Sequence, residues 1–362
     1  MAPKSFDVLV MDALNFVPLT RTPWAGHHIP RVKARGLGLP GALLPQRVGE
    51  SWEVSTDTQF PSRVPSHENR LLSDVLETHG ASLLGASVLA RYGNHCPLLL
   101  KWLHASDVLS VQLHPRNGHR CLAAHECGKP ESWLVMAVEP GGHLYLGFRE
   151  SVTPAAVREA LAQGRPETVL FRYVPAVGDL VAIPPGLVHA VGPGVFLAEP
   201  QYVLPGRSGK TWRLSDWGRT YDAQGALCRA EDGGRPRELH IEEAFGSIDW
   251  ALPRGEEAVR QLVRATNETA PFRGDTTNPF ATWVFTSPGP HVYDALVGNA
   301  FSLVSCYAGT VSFGSTTLRM GESGLVPATA ARVPFVLQAG EEGRCGVAFF
   351  ALASEVLDGV PE

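Results

Sequence analysis

The sequence predicts a mainly β chain built as two β-barrels with a few flanking helices. Three observations support this. Short apolar runs alternate with turn residues along the whole length, and 29 prolines and 37 glycines supply the punctuation. The segments VQLHP around His114 and GDLVAIPPGLVHAVG around His189 read as strand and strand–turn–strand units. GESGLVP (321–327) then repeats, in the C-terminal third, the spacing of a glycine followed six residues later by a proline.

Taken in order, SDVLETHGASLLG (73–85) has helical spacing. So does TPAAVREALAQG (153–164), with Thr153 as N-cap and Gly164 as stop. HLYLGF (143–148), TVLFRYVPA (168–176), VGPGVFLAEPQYVL (191–204) and TWRLSDW (211–217) read as strands. The predicted division is a metal-binding catalytic domain over 1–250 and a degenerate barrel over 251–362, with RGEEAVRQLVRATNET (254–269) at the join. The residue five beyond the proline is His189 in the first copy and Arg332 in the second, so only the first is expected to hold a metal.

Composition limits the partners. A net charge of −5 without long runs of one sign leaves no basic stripe for nucleic acid and no polybasic membrane patch. A small-molecule substrate is expected. The N-terminal stretch, broken by Asp7 and Asp12, does not read as a signal peptide, and no segment has the length of a membrane span. Six scattered cysteines without a C-x-x-C pair suit a reducing cytoplasm.

Chemistry concentrates at Gln112, His114, Glu131 and His189. Gln112 and His114 are two apart, so on a strand they share a face, which a barrel turns inward. Gly178 turns the chain, DLVAI forms a strand, and Pro184 and Gly186 shape the turn that delivers His189. Imidazole, carboxylate and amide oxygen together suit one borderline divalent ion such as zinc, used as a Lewis acid. An amide is a poor ligand, and Gln112 could equally orient a water or a neighbour.

These residues carry a family resemblance. VGESWEVS (48–55), CPLLLKWLHASDVLSVQLHP (96–115), GKPESW (128–133), YLGF (145–148), GDLVAIPPGLVHAVG (178–192), RLSDWGR (213–219) and RPRELHIEEA (235–244) resemble, in order, the type I mannose-6-phosphate isomerases of the cupin superfamily in their short bacterial form. The C-terminal part matches only in outline. The resemblance implies interconversion of mannose 6-phosphate and fructose 6-phosphate through an enediol or enediolate, with one zinc ion as electrophile. It further implies Gln112, His114, Glu131 and His189 as metal ligands, Arg213 as the catalytic arginine, and Glu199 as an acid near the site. A cytoplasmic monomer or homodimer fits, serving mannose metabolism or GDP-mannose biosynthesis.

Other side chains have two readings each. Lys129 would share the strand face of Glu131 and reach substrate, or would be a surface lysine pairing a carboxylate. Glu199 would transfer a proton if burial raises its pKa, or would be a structural partner of an arginine. Ser110 and Lys101 are candidates for phosphate contact, although a carboxylate could instead hold Lys101. Trp52 and Trp133 are expected to pack. In relatives the stretch between Glu199 and Arg213 is shorter and holds a Ser-Asp pair, whereas PQYVLPGRSGKTW lacks an acid, leaving Arg207 and Lys210 as possible phosphate contacts. Two other classes keep the same barrel: an iron-dependent oxygenase, and a non-catalytic sugar-binding or regulatory protein.

Overall fold

Alternation along the central strands sets the layering. In Leu98–His104, Leu98, Leu100 and Trp102 join one apolar core, while Leu99, Lys101 and Leu103 face a cleft on the other side. In Val195–Tyr202, Phe196, Ala198 and Tyr202 likewise join the first core, leaving Glu199 and Gln201 to line the cleft. The computed structural model describes residues 7–265, 272–273, 279–294, 300–330 and 332–353.

Two sheets form the N-terminal part. A six-stranded sheet runs Val263–Ala265, Asp179–Ile183, Glu131–Val138, Val195–Tyr202, Leu98–His104, Glu50–Val54. A five-stranded sheet runs Leu170–Tyr173, Leu144–Phe148, His189–Val191, Val111–Leu113, Trp212–Ser215. Leu103, Trp133, Val135, Val181 and Leu197 of the first meet Leu144, Leu146 and Val191 of the second in a core between the sheets. Burial of this apolar area is the main force holding the two sheets together. The helix Pro154–Ala162 covers the outer face of the five-stranded sheet with Val157 and Ala160.

The C-terminal part pairs a six-stranded sheet with a four-stranded one around Trp283, Tyr293, Phe335, Phe349 and their neighbours. Its six-stranded sheet also packs, through Phe280, Leu303, Leu325 and Phe350, on the core that carries Leu100 and Trp102. Segments cross between the halves: Leu9–Val10 pairs with Leu325 and Gly324, and Val263–Ala265 pairs with Asp179–Val181. A buried ion pair adds to the join. Lys33 Nζ lies 2.7 and 2.9 Å from the two carboxylate oxygens of Glu53 and donates to Gly321 O at 2.9 Å, and Ser323 Oγ donates to Glu53 at 3.0 Å.

The mainly β expectation holds, with each barrel taking the form of two facing sheets and no closed barrel among the described residues. The helix predicted over 73–85 spans Leu72–Leu84, and the one over 153–164 spans Pro154–Ala162, with Thr153 Oγ1 accepting from Ala156 N–H at 3.2 Å. The single strand expected over 191–204 is two, because Pro193 and Gly194 (φ +77°) reverse the chain between His189–Val191 and Val195–Tyr202. The helices His28–Leu37, Ala86–Tyr92, Ile241–Ser247 and Glu256–Leu262 lie outside the predicted pair. His28–Leu37 carries Pro30 and Gly36 and buries Lys33 together with Ile29 and Pro30, so a charged residue sits on its inward face. A Cβ at its Gly36 would stand 1.7 Å from Met320 O, so packing against the C-terminal part selects that glycine. No helix among the described residues is long and apolar enough to cross a membrane.

Candidate metal centre and active-site cleft

The two N-terminal sheets bring the predicted residues together by register. Gln112 stands opposite His189 on one side and Arg213 on the other. Across the cleft, Lys101 stands opposite Glu199 and Trp52, and Gln201 opposite Glu131. His189 arrives through the turn foreseen in the sequence: Gly186, at φ +86°, donates its N–H to His114 O at 2.8 Å.

His114, Glu131 and His189 form a group that could hold a metal ion, and each is at most 2% exposed. Both imidazoles make an Nδ1 contact with a backbone carbonyl, His114 with Lys210 O at 3.1 Å and His189 with Leu187 O at 2.9 Å. A carbonyl only accepts, so each ring carries its proton on Nδ1 and presents the Nε2 lone pair. Those lone pairs face a carboxylate: His114 Nε2 lies 3.2 Å from Glu131 Oε2, and His189 Nε2 lies 3.5 Å from Oε1. Burial lowers the pKa of both rings, that of His189 to about 3, so neither is charged at neutral pH. His114 Nε2 and Glu131 Oε1 are buried without a hydrogen-bond partner. Acceptors facing acceptors in a dry site is an arrangement that a cation resolves.

Gln112 is placed less decisively. Its Oε1 accepts from Ser110 Oγ at 3.1 Å and its Nε2 lies 3.5 Å from His189 Nε2. Ligation by its oxygen requires the amide to turn about, which exchanges the two atoms.

A second cluster of His28, His104 and Glu139 has ligand atoms equally close, but the tautomer is reversed. His104 Nδ1 accepts the backbone N–H of His28 at 3.1 Å, so the ring proton sits on Nε2, 3.5 Å from Glu139 Oε1. His104 Nε2 is itself buried without a hydrogen-bond partner, but a protonated Nε2 has no lone pair to offer an ion.

Above the triad opens a cleft of about 670 Å³ lined by Trp52, Lys101, Ser110, Gln112, Lys129, Trp133, Glu199, Gln201, Arg207, Arg213 and Arg237, among others. The triad itself lies beneath the floor. Lys129 does not share a strand with Glu131, because the strand begins at Glu131 after Pro130; its Nζ still reaches Glu131 Oε2 at 3.4 Å. Lys101 has carboxylates on both sides, Glu50 at 3.5 Å and Glu199 at 4.0 Å, and its Nζ lies 4.5 Å from the centre of the Trp52 ring. Burial first, and then the charge of Glu131, push the Glu199 carboxyl up to about 8, against the pull of Lys101 and Lys129. Arg213 donates through Nη1 to Glu238 O at 3.1 Å and has its Nε buried without a partner. In the loop before it, Lys210 pairs with Glu126 at 2.7 Å, while Arg207 reaches the cleft wall.

The chain is similar in sequence and in fold to known proteins. Residues 37–131 match the family model for the catalytic domain of type I phosphomannose isomerases. The chain is 29% identical to the mannose-6-phosphate isomerase of Streptococcus mutans over 234 residues, which are 64% of this chain and 65% of that protein. The chain is similar to the type I phosphomannose isomerases. Its alignments with curated relatives of this family span between 58% and 65% of their length. In structure it resembles the mannose 6-phosphate isomerase of Bacillus subtilis, with a TM-score of 0.68 at 19% identity over 96% of this chain and all of that one. It also resembles a zinc-bound mannose 6-phosphate isomerase, with a TM-score of 0.60 at 16% identity over 94% of this chain and 98% of that one.

Beyond the residues that suggested the family, the cleft contains groups the sequence reading passes over. Gln201 donates from Nε2 to Glu131 Oε2 at 2.9 Å and to Glu199 Oε2 at 2.7 Å. Trp133, expected only to pack, donates from Nε1 to Glu199 Oε1 at 3.1 Å and lies edge-on to the His189 ring. Glu50 holds Lys101 and accepts from Trp52 Nε1 at 2.9 Å. The signal for Gln201 was present: it lies two residues after Glu199 on one strand and so shares its face.

Proposed function

We propose that this chain is a mannose-6-phosphate isomerase, interconverting mannose 6-phosphate and fructose 6-phosphate in the cytoplasm with one zinc ion per chain, as a monomer or homodimer. The observation that carries the reading is the buried carboxylate of Glu131 facing two imidazole lone pairs directly below a polar cleft. A two-nitrogen, one-carboxylate donor set with Gln112 alongside fits zinc. When bound, such an ion supplies positive charge beside the sugar oxygens that become charged as the proton leaves carbon.

The residues of the chain do the rest. Glu199, pushed up to about 8, can take and return a proton near neutral pH, and Trp133 and Gln201 hold its carboxyl by an N–H on each oxygen. Arg213, tethered to Glu238 O, presents the rest of its guanidinium to the cleft, where it would hold the oxygens of the intermediate or the phosphate. Lys129 and Lys101 add positive charge on the floor, with Ser110 beside Gln112 as a further contact for substrate. We assign this chemistry to the domain over residues 1–250. Residues 251–362 are assigned a structural role, since their six-stranded sheet packs through Phe280, Leu303, Leu325 and Phe350 on the core that carries Leu100 and Trp102. Resemblance to isomerases and a proton-holding carboxyl beside the metal centre weigh against both an oxygenase and a non-catalytic binding protein.

A coupled assay of fructose 6-phosphate formation, run before and after chelation, tests the reading. Arg213→Ala is expected to lower kcat/KM by about 10²–10³-fold, as removal of an oxyanion-stabilising donor does. Near-full activity in that variant removes Arg213 from the catalytic set, and absence of turnover in zinc-loaded wild-type protein removes the isomerase assignment.

A further inference from the structure

Gln201 is 1% exposed, yet it lies on the cleft wall between the metal centre and the proton-holding carboxyl. Its amide orientation is fixed by chemistry. Only an NH₂ group can donate to two carboxylate oxygens, Glu131 Oε2 at 2.9 Å and Glu199 Oε2 at 2.7 Å, so Oε1 points the other way. These two donated hydrogen bonds join the carboxylate of the candidate metal centre to the carboxyl on the neighbouring strand.

Resting on the isomerase reading, we infer that Gln201 is a positioning residue: its NH₂ clamps the metal-holding Glu131 to Glu199 on the neighbouring strand and so fixes the carboxylate that faces the two imidazoles. The clamp acts on metal binding because Glu131 keeps its rotamer through partners outside the ligand set, and loss of such partners typically lowers affinity about 10–100-fold.

The test uses the full chain with Gln201→Met, which keeps the length of the side chain and removes both polar ends. Zinc affinity, measured by competition with a chromophoric chelator, is expected to fall by about tenfold or more. Mannose 6-phosphate is then titrated calorimetrically into the zinc-loaded wild-type protein. Matching melting temperatures of the zinc-free proteins separate the loss of zinc affinity from misfolding. Gln201→Ser carries the same readouts if the methionine variant does not fold. Unchanged zinc affinity overturns the clamp. Failure of wild type to bind mannose 6-phosphate counts against the isomerase reading instead, and the zinc measurement still decides the clamp.

Discussion

Removing the metal tests the arrangement beneath the cleft most directly. Without an ion, the lone pairs of His114 and His189 stand 3.2 and 3.5 Å from the carboxylate of Glu131, and His114 Nε2 and Glu131 Oε1 have no other partner. Each buried, unsatisfied acceptor costs about 1–3 kcal/mol, so the two together weaken the folded state by about 2–6 kcal/mol relative to the loaded one. In a domain of 150–250 residues each kcal/mol moves the melting temperature by about 2–4 °C, which places the metal-free transition roughly 5–20 °C lower. The assay is a thermal melt of the protein as purified, after chelation and dialysis, and after return of zinc, with metal content measured alongside. The mechanism requires the drop to reverse on adding zinc. It also requires Glu131→Gln, which gives Oε1 or Oε2 a donor in place of a charge, to make the melt insensitive to chelation. A wild-type melt that does not respond to loss or return of metal would refute the reasoning, because the facing acceptors would then be satisfied in some other way.

Two further perturbations probe the frame around the site. Lys33→Met strands the Glu53 carboxylate in the interior and should cost about 3–5 kcal/mol by denaturant titration, while Lys33→Met combined with Glu53→Leu should recover much of it; a single variant as stable as wild type would show that the pair does not join the halves. For His104, burial and the neighbouring positive charge of His28, His27 and Arg31 lower the folded pKa from 6.5 to about 3. Above pH 6.5 folded and unfolded states both hold a neutral ring and stability is complete; as pH falls toward 3 the unfolded chain takes up a proton that the folded chain does not, and stability is lost. His104→Asn, whose amide oxygen can still accept from His28 N–H, should flatten this acid slope by up to about 1.4 kcal/mol per pH unit, and an unchanged slope would mean that the ring titrates normally.

How much of this was legible in the sequence follows from how local each signal is. Gln112, His114 and His189 could be placed because a two-residue spacing on a strand and a glycine–proline turn are properties of a few consecutive residues. Thr153 as a cap was readable for the same reason, its partner Ala156 lying three residues on. The burial of Lys33 in the helix His28–Leu37 was not readable, because its partners Glu53 and Gly321 lie 20 and 288 residues away. The break of the strand at Pro193 and Gly194 was signalled by those two residues and outweighed by the apolar run on either side.

The roles of Gln201 and Trp133 illustrate the deeper limit. Each was visible as a residue on a strand, but its partners were set by which strands became neighbours. Gln201 meets Glu131 because Val195–Tyr202 lies antiparallel beside Glu131–Val138, a pairing across 70 residues that turn chemistry does not encode. Once that register exists, alternation does the rest: Glu199 and Gln201 on one strand, Trp133 on the next and Lys101 on a third turn toward the same cleft, with Glu131 on the same face as Trp133 beneath its floor. The polar end of this face becomes the site because the remainder, Leu103, Val135, Val181 and Leu197, is closed by the opposing sheet. The five-stranded sheet thus both supplies two imidazoles and excludes water from the carboxylate they face. The candidate ligands could therefore be read from single segments, whereas the hydrogen bonds that orient them depend on two sheets meeting in one register.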